Sequence, residues 1–91
     1  MATSKYFDVS RVRFQKKSAG DVMSLFIKVA RSYPKQAGAL FDKYVDFLKS
    51  TNPEWTDEKS TNIAKSNIET MAGRYGTGVF ELLANTYCTN R

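Results

Sequence analysis

The sequence predicts an all-α protein: a compact four-helix domain over 18–91 behind a basic, irregular N-terminal arm at 1–17. Apolar residues recur at three- and four-residue spacing in four stretches, about 19–32, 34–50, 54–73 and 78–88. Residues that start or stop helices, such as Ser18, Pro34, Asn52-Pro53 and the glycines at 76 and 78, fall at the edges of those stretches. The length of 91 residues sets the scale. It is enough for one small domain whose core is thin, so an oligomer contact or a partner would add burial.

The arm has no clean period. Phe7 and Val9 share one face of an extended chain, whereas Val12 and Phe14 fall on the other. The reading is an extended segment with one short strand or turn, its apolar residues set between basic ones. The first helix begins at Ser18-Ala19-Gly20-Asp21, in which the Ser18 hydroxyl accepts from the Asp21 N–H. Leu25, Val29, Val22, Phe26, Ala30, Met23 and Ile27 then cover an arc of about 200°. A helix this apolar is central, or faces a partner as well as its own core.

Pro34 suits the first turn of the second helix. Ala37, Leu40, Phe41, Tyr44, Val45 and Leu48 form its stripe, opposite Lys35, Asp42, Lys43, Asp46 and Lys49. Asn52 is read as the cap of the third helix, with Pro53 at its first position. That helix has a narrow stripe of Ala64, Ile68, Met71, Ala72 and Tyr75, and Gly73 and Gly76 mark its end. Thr77 is read as the cap of the fourth helix, where Val79, Phe80, Leu82, Leu83, Ala84 and Tyr87 make a second wide arc.

Composition narrows the chemistry. The chain has no histidine, which removes the commonest metal ligand and the usual base near neutral pH. A single cysteine, Cys88, allows neither an intrachain disulfide nor a cysteine-based zinc site. The expectation is an intracellular, reducing compartment, the cytoplasm first and an organelle second. No apolar run approaches the ~20 residues of a membrane span, and the first residues lack the apolar stretch of a signal peptide.

The charge is unevenly placed. Residues 1–35 carry Lys5, Arg11, Arg13, Lys16, Lys17, Lys28, Arg31 and Lys35 against Asp8 and Asp21, whereas 36–91 are nearly balanced. Such asymmetry points to an anionic partner for one face. Within it, Arg11-Val12-Arg13-Phe14-Gln15-Lys16-Lys17 interleaves cations with apolar side chains. The partner-binding set is therefore Arg11, Arg13, Phe14, Lys16 and Lys17, extended by Lys28 and Arg31 on the first helix. With Phe14 as anchor it suits an acidic protein partner or a larger assembly, in an accessory and non-enzymatic role. With Phe14 stacked on a base it suits nucleic acid. The bland alternative folds the arm back and buries Phe7 and Phe14 in the chain's own core.

Other motifs read as structural. Gly73 to Gly78 matches neither phosphate-loop pattern and reads as a turn that needs positive φ. Asp42 and Asp46 lie on a polar helix face among lysines, and Asp57-Glu58 complement a helix dipole. Trp55 reads as a lid under the loop before the third helix, with an exposed anchor for a partner as the alternative. Cys88 has no histidine to activate it. No catalytic residue, metal ligand or cofactor is assigned, and a homo-oligomer is expected from the wide arcs of the first and fourth helices.

Overall fold

The computed structural model describes residues 7–88. The chain is all-α, with four helices and no strand among the described residues: α1 Ala19–Ser32, α2 Ala37–Thr51, α3 Asp57–Gly73 and α4 Thr77–Leu83. Each end follows from a nameable interaction. Ser18 Oγ accepts from the Asp21 N–H at 3.2 Å, the cap its sequence specifies. At the far end of α1 the Tyr33 N–H donates to the Val29 carbonyl.

Two helix starts differ from expectation. Pro34–Gln36 forms a 3-10 turn that feeds α2, because Gln36 sits at φ −94° and ψ 0°, outside the α-helical basin. The third helix begins at Asp57 instead of about 54. Asn52 does not cap it; its backbone and side-chain amides both donate to the Leu48 carbonyl at 3.0 Å and so close the end of α2. The Trp55 N–H bonds back to the Asn52 carbonyl, making 52–55 a turn, and Thr56 takes the cap by accepting from the Lys59 N–H. Asp57 and Glu58 then lie in the first turn, where negative charge favours the helix dipole.

The fourth helix is shorter and better defined by its neighbours than by its own pattern. Gly76, not Thr77, precedes its first residue, at φ 107° and ψ 170°. Only glycine holds that conformation without strain. Beyond Leu83 the chain widens into a π-helical turn, Ala84–Cys88. The wider turn re-aims Tyr87 relative to a regular helix, and Tyr87 ends fully enclosed.

The core is one cluster drawn from all four helices and from the segment before them. Phe26 lies at its centre. Its ring sits 6.0 Å from Phe14, 5.3 Å from Tyr44 and 4.9 Å from Tyr87, the last two edge-on. Edge-on pairs set the positive rim of one ring against the negative face of another, worth about 0.5–1.5 kcal/mol each beyond area burial. The Tyr87 hydroxyl donates to the Phe26 carbonyl at 2.8 Å, which satisfies the one polar atom that this ring brings inside. Among the described residues, Ser60 Oγ is the buried side-chain polar atom without such a partner.

The described part of the arm is not an extended strand. Residues 7–17 form two 3-10 turns, Val9–Arg11 and Phe14–Lys16, that pack against α2. Asp8 nucleates the first turn by accepting from both the backbone N–H and the hydroxyl of Ser10. Lys43 of α2 donates to the Ser10 carbonyl at 3.0 Å and ties the turn to the helix.

Candidate functional site

The cationic residues divide by where their backbones are held. Val12 and Phe14 point inward, and the alternate residues Arg11 and Arg13 are exposed. Phe14, only 3% exposed, packs on Phe26, Tyr44 and Phe47. It is therefore corrected from partner anchor to core residue: a ring enclosed by three others offers no face to a base or to a protein groove. The segment folds back on the body, as the bland alternative has it. Lys16 is exposed and Lys17 half-buried at the end of the second 3-10 turn.

Arg11 reaches Asp8 at 3.5 Å, an exposed pair of little energetic weight. The Ser10 hydroxyl donating to Asp8 holds its carboxyl below the ordinary carboxylate range, with Arg11 and Lys43 acting in the same direction. Arg13, Lys16, Lys17, Lys28 and Arg31 make no ion pair with an acid among the described residues. Lys28 and Arg31 are exposed on α1, about 60° apart around the helix, opposite the buried Val22, Met23, Phe26, Val29 and Ala30. The chain thus presents two basic elements, one on the 3-10 turns and one on α1, and the buried Phe14–Phe26 ring contact links their backbones.

Between the 3-10 turns and α2 runs an open groove of about 660 Å³, lined by Val9, Val12, Phe14, Ala39 and Phe47, with Asp46 among its polar residues. It went unread in the sequence because its two walls come from segments about 30 residues apart, and nothing in either wall signals the other. The only local hint is that Asp42 and Asp46 stand on the α2 face that the arm approaches.

The remaining candidates are quiet. Cys88 is half-buried, and its thiol lies 3.8 Å from the Lys65 carbonyl. Burial first and Glu69 second push the thiol pKa up, which disfavours the thiolate. Trp55 is half-buried against the core with the Lys59 ammonium 5.3 Å from its ring centre, a cation–π contact. Among the described residues no cluster of three histidine, cysteine or acidic side chains is placed to hold a metal. No described helix is long and apolar enough to cross a membrane. No family model, no curated protein and no solved structure matches this chain.

Proposed function

We propose that this protein is a non-enzymatic binding or accessory protein that docks on an acidic protein partner through Arg11, Arg13, Lys16 and Lys17, with Lys28 and Arg31 of α1 contributing. It acts in a reducing, intracellular setting. The observation that carries the reading is the state of these cations. Five of the six have no acid partner among the described residues. The turns that bear the first four are pinned by Val12 and Phe14 in the core. Charges held on a fixed backbone lose less conformational freedom on binding than charges on a loose tail, so more of the attraction appears as affinity. Electrostatic complementarity of this kind chiefly sets encounter rate and partner choice.

The test is titration of polyglutamate and of duplex DNA against the wild type and a variant with Arg11, Arg13, Lys16 and Lys17 all changed to Ser. The variant is expected to keep its circular dichroism and to lose polyglutamate binding. Unaltered binding removes the basic turns from the mechanism. If DNA is bound more tightly than polyglutamate, the nucleic-acid reading replaces this one. Each lost phosphate contact then lowers the salt slope of log K by about 0.9.

A further inference from the structure

Asp8 is the one acid set against the cations of the 3-10 turns among the described residues, and its two carboxylate oxygens do different work. Oδ1 accepts from the Ser10 N–H at 3.1 Å and from the Ser10 hydroxyl at 2.6 Å, whereas Oδ2 faces Arg11 Nε at 3.5 Å. The carboxylate is already fixed by the turn it nucleates, so it loses little further freedom in meeting Arg11. Lys43 of α2 donates to the Ser10 carbonyl and sets a second positive charge near the same acid. Of the six cations assigned above, Arg11 alone has an acid partner among the described residues. Its contact is longer than a formed charged hydrogen bond, and its side chain is 87% exposed, which leaves its other N–H donors to solvent. A carboxylate arriving from outside that closes on the guanidinium to about 2.8 Å makes the stronger contact. The pair is thus weak enough to release and placed where release changes the site.

On the acidic-partner reading above, we propose that Asp8 is an internal competitor for Arg11: it holds the guanidinium in the free protein and gives it up when an acidic partner docks. Arg13, Lys16 and Lys17 are open to the partner at once, and Arg11 joins them only against an acid that displaces Asp8. Asp8 thereby weakens docking, and it does so through Arg11.

Two measurements test this, the first without any partner. In the free protein, NMR follows hydrogen exchange at the arginine Nε–H groups. Arg11 is expected to exchange more slowly than Arg13, and Asp8→Asn to bring the two rates together. That substitution keeps a side-chain oxygen to accept from Ser10, so the turn and the circular dichroism are expected to be unchanged. A wild-type Arg11 that exchanges as fast as Arg13 overturns the proposal whether or not polyglutamate binds. The second measurement is titration with polyglutamate at about 0.15 M salt, where exposed charges more than about 8 Å apart are largely screened. It compares the wild type, Asp8→Asn, Arg11→Gln and the double variant. Asp8→Asn is expected to tighten binding about threefold, the scale of an exposed ion pair. In the Arg11→Gln background the same change is expected to leave affinity where it was. An equal gain in both backgrounds means that Asp8 acts through net charge alone; it overturns the competitor role and leaves the acidic-partner reading standing. A wild type that does not bind polyglutamate overturns that reading, and the competitor role with it.

Discussion

Phe14 shows how the same residue type serves opposite ends depending on one buried contact. Between Arg13 and Gln15 it reads as a presented ring, yet its three aromatic neighbours come from residues 26, 44 and 47, at sequence distances that no local pattern encodes. Phe14→Ala is expected to cost about 3–5 kcal/mol, the usual range for an enclosed aromatic, as a lowered urea midpoint. A surface anchor would cost almost nothing. Tyr87 gives a second, pH-linked outcome. Burial raises its phenol pKa above the ordinary value of about 10, and burial does the same to Tyr44 against the opposing Asn67 hydrogen bond. The folded state thus keeps protons that the unfolded chain releases. The stability from this source is complete below about pH 10 and is lost as pH rises above it. Tyr87→Phe is expected to cost about 1 kcal/mol at neutral pH, through the lost bond to the Phe26 carbonyl, and to show a smaller alkaline decline than the wild type. Denaturant titrations at neutral pH and near pH 10.5 measure both effects.

At the level of elements, periodicity located all four helices, because each must turn one stripe toward a shared core and that stripe is written in the chain. The first helix came out at its expected bounds, 19–32, since Ser18 caps it with a side chain next in sequence. Ends were misread where two candidates compete for one role. Asn52 and Thr56 both have capping side chains, and the Pro53 turn places only Thr56 beside the free N–H groups of α3. Gly76 and Thr77 compete likewise, and the positive φ at the junction requires the glycine. The two glycines that flank this turn are expected to respond in opposite directions. Gly73 is helical with nothing within 4 Å of where a Cβ would stand, so Gly73→Ala should stabilise by up to about 1 kcal/mol. Gly76→Ala should destabilise by about 1–3 kcal/mol despite equally open space, because its backbone conformation is the obstacle. Thermal melts of the two variants compare them directly.

For the whole molecule, the uneven distribution of charge was legible because it is a property of composition along the chain. The groove and the burial of Phe14 were not, because they exist only once 9–15 lies on α2. The wide apolar arc of α1 also becomes intelligible at this scale: that helix is enclosed by the N-terminal segment as well as by its partner helices. The bond from Tyr87 to Phe26 joins positions 61 residues apart. In a chain made from its N-terminus onward, the ring that completes the Phe26 cluster therefore leaves the ribosome after every other member of that cluster. Until it arrives, Phe14, Phe26, Tyr44 and Phe47, from the second 3-10 turn, α1 and α2, form a set of aromatic rings with one side unsealed. Nascent chains in that state are open to hydrophobic mispairing with one another or to capture by a chaperone. The Phe26 cluster is thus complete only once the π-helical turn is in place, whatever the state of the larger helices that precede it.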